Sequence, residues 1–311
     1  MSHRTPESRA GLLYGIAAYG FWGVVPLYFA LLRDKVSALE FLGHRICWST
    51  MLLGAIISLL AAWGRVRRCL TEPRTRFTLI LTALLIGVNW YLYIYAANTK
   101  QLTEASLGYF IAPLANAGLG VVVLRERLRW MQMLAVGLAA LSVVTLTVLH
   151  GSFPWLALGL AASFSVYGLF RKTVAADALT GLTIESILLT PFALGYLVWL
   201  QTTGNGKFGH LDRTTDFLLI AASVVTVAPL FCFAQAARRL RLTTIGFLQF
   251  LSPMIQLFLA VTVLGEDFDD AQLAGFVPIW LALALYMTDA VLHARRMRIL
   301  PISISDSSKM R

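Results

Sequence analysis

Charge is scarce in this sequence. Only 14% of its 311 residues are Asp, Glu, Lys or Arg, against roughly 25% in soluble globular proteins. With 58% hydrophobic residues and a mean hydropathy of +0.72, a soluble domain of this length is excluded. Cysteine is limited to Cys47, Cys69 and Cys232. An odd count with two members in apolar runs makes neither a disulfide framework nor a metal site. There is no glycine-rich phosphate loop, no metal-ligand cluster and no Ser–His–Asp order in polar surroundings. ATP-driven work and enzymatic catalysis are therefore not expected, and no cofactor is implied. Acidic residues are the rarer sign, 16 against 26 basic ones, for a net charge of +10. That excess points to no nucleic-acid partner, because the basic residues sit in alternate loops, as membrane orientation requires.

Long apolar runs fill the rest. Runs near twenty residues suffice to cross about 30 Å of hydrocarbon as helix. They lack the two-residue alternation of a membrane barrel. Ten spans are predicted, at about 11–32, 38–63, 77–98, 102–124, 130–149, 154–170, 180–201, 216–237, 242–264 and 271–293. The first exceeds a signal-peptide core and no evident cleavage site follows it, so it reads as a retained helix. The expected fold class is an all-α polytopic membrane protein in a lipid bilayer. Twenty of the 26 Lys and Arg fall in the tails and the even-numbered connections, five in the others, and Arg45 inside span two. By the positive-inside rule both termini are expected in the cytoplasm, with the cluster Glu266, Asp267, Asp269 and Asp270 outside.

The chain is also written twice. TEASLGYFIAPLANAGLGVVVLRERL recurs 140 residues later as TTIGFLQFLSPMIQLFLAVTVLGEDF. Pro113 maps onto Pro253, and Glu126 onto Glu266, each glutamate thirteen residues after its proline. Earlier in each half, Gly23 and Glu40 are seventeen residues apart, as are Gly168 and Glu185. Five spans per copy is an odd number, so the second copy must enter the membrane upside down. The expected organisation is two inverted five-helix repeats, 1–150 and 151–296, with a polar cytoplasmic tail at 297–311. Such repeats place a substrate site near the midplane and support alternating access.

Candidate residues follow from polar groups inside apolar spans, which are costly against lipid. In span four Tyr109, Pro113 and Asn116 share a helical face, and their counterparts in span nine are Gln249, Pro253 and Gln256. Each proline removes a helix hydrogen bond and is expected to bend its span. The plainer alternative makes Asn116 and Gln256 interhelical glue. Span three offers Asn89, Trp90 and Tyr93, an aromatic wall with hydrogen-bonding tips suited to an amphipathic organic solute. Aromatic belts at helix ends compete with that reading for Tyr95 and Trp63. Span two carries Glu40, His44 and Arg45. Glu40 and His44 are one turn apart and form a candidate proton path. The alternative for Glu40 is structural, since Ser37-Ala-Leu-Glu40 reads as a capping box. Gly11 and Gly15 would permit close helix contact.

These motifs carry a resemblance. AYGFWGVVPLYFALL, ALEFLGHRICWS, NWYLYIYAAN, EASLGYFIAPLANAGLGVVVLRERL, SFSVYGLFRK, TVAPLFCFAQAARRLRLTTIGFLQFLSP and FVPIWLALALY resemble the RarD family, in the EamA-domain branch of the drug/metabolite transporter superfamily. The likeness spans nearly the whole chain, departing where the family's common tyrosine is Phe250. It implies ten helices at the bacterial inner membrane and export of a small drug or metabolite, with proton coupling as an open element. It adds Tyr19, Trp22 and Tyr167 to the cavity candidates. The reading from a different class is a non-transporting membrane scaffold or sensor.

Overall fold

The computed structural model describes residues 9–32, 35–99, 102–150, 154–262 and, further on, 277, 278, 280–282, 284–286, 288, 289 and 292. At 97, 98, 102–107, 142, 146, 149, 150, 257, 260 and 261 only the backbone is described. Every regular element among these residues is helical. The order is α1 Arg9–Ala30, α2 Ala38–Leu59, α3 Trp63–Thr71, α4 Pro73–Asn98, α5 Leu102–Val122, α6 Trp130–His150, α7 Trp155–Thr173, α8 Ala178–Thr202, α9 Arg213–Arg239, α10 Leu242–Gln249 and α11 Leu251–Thr262. Five of them, α1, α2, α4, α8 and α9, are long and apolar enough to cross a membrane. The acidic cluster at 266–270, most of the tenth span and the tail at 297–311 lie outside the described residues.

Side-chain caps set four of the starts. Ser37 accepts from the Glu40 amide, Glu72 from Thr75, Asp177 from Thr180 and Asp212 from Thr215. Each satisfies an amide that the first helical turn leaves open. Asp177 and Asp212 also accept from the Thr180 and Thr215 hydroxyls. The second span is shorter than expected: α2 ends at Leu59, and a separate helix, α3, occupies part of the arginine-rich connection. α3 buries Val66 and Cys69 beside Ile57, Leu79 and Ile184, while Arg65, Arg67 and Arg68 stay exposed.

The two prolines of the duplicated segment act differently. α5 continues through Pro113, whereas the ninth span breaks at Phe250 into α10 and α11. Pro253 has no N–H for the Gln249 carbonyl one turn back, and its ring crowds that carbonyl. α5 packs against α10 in antiparallel register, since Asn116 meets Gln249 while Glu126 meets Leu242. The crossing is close: a Cβ on Gly246 would sit 2.6 Å from the Pro113 carbonyl oxygen. Gly11 and Gly15 do the same for α1, where added Cβ atoms would lie 2.9 Å from Leu240 and 2.6 Å from Leu248. The main apolar core lies between α1, α7, α8 and α9, centred on Tyr19, Tyr167, Leu182 and Phe233.

Candidate functional site

Where α5 crosses α10, the Asn116 amide donates to Gln249 Oε1 at 2.7 Å, and both side chains are buried. Asn116 Oδ1 has no partner among the described residues. Gln256, on α11 beyond the break, is half-buried and donates instead to the Trp22 carbonyl at 3.3 Å and to Ser252. Asn116 and Gln256 thus engage different neighbours. Beyond the crossing, Glu126 accepts from the amides of Leu242 and Thr243 and from the Thr243 hydroxyl. A carboxylate there complements the partial positive charge of the α10 N-terminus, and Arg241 lies 3.8 Å away.

Beside this crossing stands an aromatic cluster from α1, α7 and α9. Trp22 packs on Tyr19 at 5.4 Å, on Phe164 at 5.7 Å and on Phe233 at 5.9 Å between ring centroids. Tyr167 stacks on Phe233 with planes 17° apart. The Tyr19 hydroxyl is buried and has no partner among the described residues, a costly state for a phenol enclosed by apolar rings. The Tyr167 hydroxyl donates to Glu185 at 3.2 Å. Glu185 also accepts from Thr82 at 2.6 Å and pairs with Arg171 at 3.4 Å. Both charged side chains are almost wholly enclosed, and Arg171 further donates to the Ala178 carbonyl. Arg171, counted with the loop charges in sequence, is therefore an interior residue of the last turn of α7. Gly181 makes room for it: a Cβ there would lie 1.9 Å from Arg171 Nη1.

On the other flank α2, α4 and α5 bring Arg45, Trp90, Tyr93 and Tyr109 together. The Arg45 guanidinium lies 4.2 Å from the centre of the Trp90 ring. The Tyr93 and Tyr109 rings are 6.5 Å apart, and both phenols are near enough to act electrostatically on Arg45. No carboxylate among the described residues pairs with Arg45, and its Nε is buried without a partner. A cation–π contact contributes about 0.5–2 kcal/mol. An arginine at mid-helix in a bilayer costs at least about 2.5–3.5 kcal/mol, so Trp90 alone does not offset it. Asn89, also on α4, turns to α7, donating to the Leu160 carbonyl at 2.9 Å and to Ser163 at 3.0 Å.

Glu40 and His44 line one pocket of about 280 Å³ with Leu194, Leu197, Gln201 and Phe208. The Glu40 carboxylate accepts from the Lys207 amide at 2.6 Å, so the expected capping box is half made: Ser37 caps α2, and the glutamate holds the 203–212 connection. His44 packs on Phe208 with ring centroids 4.8 Å apart and planes tilted by 33°. Outside the apolar spans, hydrogen bonds from the Thr215 amide and hydroxyl and from Lys35 pull the Asp212 carboxyl down to about 2. Burial pulls Asp177 upward, but Thr180, Arg65 and Arg238 outweigh it and hold this carboxyl below its ordinary value. Among the described residues no three His, Cys, Asp or Glu side chains gather to hold a metal ion.

Thr82, Phe164 and the Arg171–Glu185 pair escaped sequence reasoning. The available signal was Glu185 inside its apolar span and Arg171 just past the end of another, but both charges also suited helix ends.

Comparison with known proteins agrees with this architecture. The profile of the EamA-like transporter family matches residues 9–148 and, a second time, 153–288. The chain is 44% identical over 290 residues to Protein RarD of Salmonella typhi, covering 93% of this chain and 98% of that protein. It is 43% identical over 292 residues to a Vibrio cholerae protein described as an uncharacterized transporter, covering 93% and 96%. A solved crystal structure superposes with a TM-score of 0.69 at 15% identity, covering 92% of this chain and 98% of that one, a likeness of fold.

Proposed function

The chain belongs to the EamA-like transporter family, and on that premise we propose that it exports a small organic drug or metabolite across the bacterial inner membrane by alternating access. The observation that carries the reading is the meeting of α5 with α10. Sequence-equivalent segments of the two halves cross in the interior through Asn116 and Gln249, next to a helix break that supplies a hinge. In this reading ten spans form two inverted five-helix repeats, 1–150 and 151–296, with both termini and the tail at 297–311 in the cytoplasm. The solute passes between the Tyr19–Trp22–Tyr167 cluster and the Trp90–Tyr93–Tyr109 wall. Asn116, Gln249 and Gln256 supply hydrogen bonds along its path, and Asn89 fixes α4 against α7. A transporter that changes shape must break and remake such contacts, whereas a scaffold has no use for a polar crossing beside a hinge.

Proton coupling is the second reading, favoured by the shared pocket of Glu40 and His44. The test is flux of a panel of amphipathic aromatic solutes through proteoliposomes, with and without a pH gradient. Saturable flux is expected, reduced by Asn116→Leu. Absence of flux for every solute would leave the scaffold reading. Equal proton flux per solute in wild type and His44→Gln would remove the coupling role.

A further inference from the structure

Arg45 lies about 10 Å along α2 from its first residue at the helical rise per residue, well inside the helix. Other charges of the bundle are compensated. Arg171 pairs with Glu185 and Arg129 with Asp289, Glu126 caps α10, and Glu40 accepts the Lys207 amide. Among the described residues Arg45 has the face of Trp90 and the nearby phenols of Tyr93 and Tyr109. The charge is also one-sided. The spacing that aligns Glu40 with Glu185 aligns Arg45 with Thr190, whose hydroxyl bonds to Thr50 at 2.7 Å. An intramembrane cation on an aromatic wall, with no anion among the described residues, has its guanidinium fork open to one.

We propose that Arg45, Trp90, Tyr93 and Tyr109 form the binding site for a small organic anion, its carboxylate on the guanidinium and its apolar body against the three rings. This deepens the transporter reading and rests on it. A carboxylate matches the planar guanidinium fork in two parallel hydrogen bonds. A single cation balances a single negative charge, which selects monoanions over dianions. The rings favour an aromatic or aliphatic body over a sugar. A lipid headgroup shares the anionic chemistry, but the depth of Arg45 along α2 favours a free solute.

The test uses the full chain in phosphatidylcholine nanodiscs and three probes of equal length: 3-phenylpropionate, 3-phenylpropionamide and 3-phenylpropylamine. Equilibrium dialysis should retain the carboxylate at least about tenfold more tightly than either of the others, a step of 1.4 kcal/mol. Arg45→Gln should abolish that preference, and Arg45→Lys should keep the preference with weaker binding. A measurement that needs no variant accompanies it. The carboxylate, and not the amide, should slow phenylglyoxal modification of Arg45, read by peptide mass spectrometry. Equal retention of the three probes, a preference that survives Arg45→Gln, or unprotected Arg45 would overturn the site. Loss of carboxylate binding when phosphatidylglycerol is added would assign the arginine to lipid instead, and would overturn it too. Flux of uncharged solutes without carboxylate preference would refute this site and leave the transporter standing. Carboxylate binding without any flux would do the reverse.

Discussion

Replacing Glu185 by glutamine should strip the interior of the charge that holds Arg171. The two side chains are 4% and 0% exposed and 3.4 Å apart. At that separation, with an effective permittivity near 20, the direct attraction is about 5 kcal/mol. Glutamine keeps an oxygen for Thr82 and Tyr167 but leaves Arg171 with only the Ala178 carbonyl. Breaking one side of a buried pair costs about 3–5 kcal/mol. The retained hydrogen bonds put Glu185→Gln near the lower bound, about 3 kcal/mol, or roughly a 150-fold fall in the folded ratio at 1.4 kcal/mol per decade. Removing both charges removes the orphan. Arg171→Met with Glu185→Gln should therefore recover most of the loss, giving a coupling energy of about 2–3 kcal/mol. The assay is thermal unfolding in detergent, followed by size-exclusion chromatography of a fluorescent fusion, for wild type, both single variants and the double. A double variant no more stable than Glu185→Gln would refute the reasoning. So would a silent Glu185→Gln, which would mean that the resting protein already carries a neutral glutamic acid there.

Gly181→Ala should destabilise by displacing Arg171 Nη1, which lies 1.9 Å from the new Cβ position, and Arg171→Met should rescue it in the same melting assay; no rescue would mean that the clash is with something else. Asn116→Leu removes the bond to Gln249 and should cost about 1–2 kcal/mol, so expression should stay near wild type while liposomal flux falls; unchanged flux would exclude this crossing from the path. Asp212 titrates from about 2 in the folded protein, below its ordinary value, so its support of the α9 start is present above about pH 4 and is lost as pH falls toward 2. Protease resistance of the 203–212 connection should accordingly be flat from about pH 5 to 8 and drop below about 4, a drop that Asp212→Asn removes. The charge asymmetry predicts that a cysteine at Gly206 is labelled by impermeant maleimide in intact cells while one at Arg67 is protected, and the opposite pattern would invert the topology.

The start of α2 was legible because it rests on local chemistry. Ser37 sits three residues before the amide it accepts from and reads as a cap. Asp177 and Asp212 cap in the same way but went unread, and α8 and α9 start two and three residues before the expected spans. α3 was not read as a helix because five arginines in residues 65–76 carry an orientation signal that masks a weaker one. Its Val66 and Cys69 are three residues apart on one face, but nine residues give little periodicity. The polar face of the fourth and ninth spans was legible too, down to Asn116. Its partner was not, because period fixes the face that a residue occupies and says nothing of axial register between helices. Gln249 and Gln256 lie about 10 Å apart along an ideal helix, and only the close crossing at Gly246 selects Gln249. Asn89 illustrates the same limit. Its position in mid-span said that it needed a partner, and the partners are a backbone carbonyl and the Ser163 hydroxyl of α7.

The duplicated sequence carries unlike chemistry in its two halves. Glu40 and Glu185 are equivalent by spacing, yet Glu40 is the third residue of α2 and Glu185 the eighth of α8. That difference in depth puts one carboxylate on a loop amide and the other in a buried ion pair. Arg45 faces the Trp90 ring where its counterpart Thr190 bonds to Thr50 and to the Ser186 carbonyl. Pro113 leaves α5 continuous while Pro253 ends α10. Parting α5 from α10 would break the Asn116–Gln249 bond and expose three donors now satisfied by Glu126. Hydrogen bonds to a charged acceptor are each worth about 1.5–3 kcal/mol, so this contact opens only if water or a newly formed contact takes over those donors. On the alternating-access proposal, the free-energy difference between conformations is set at the few positions where the side chains of the two halves have diverged.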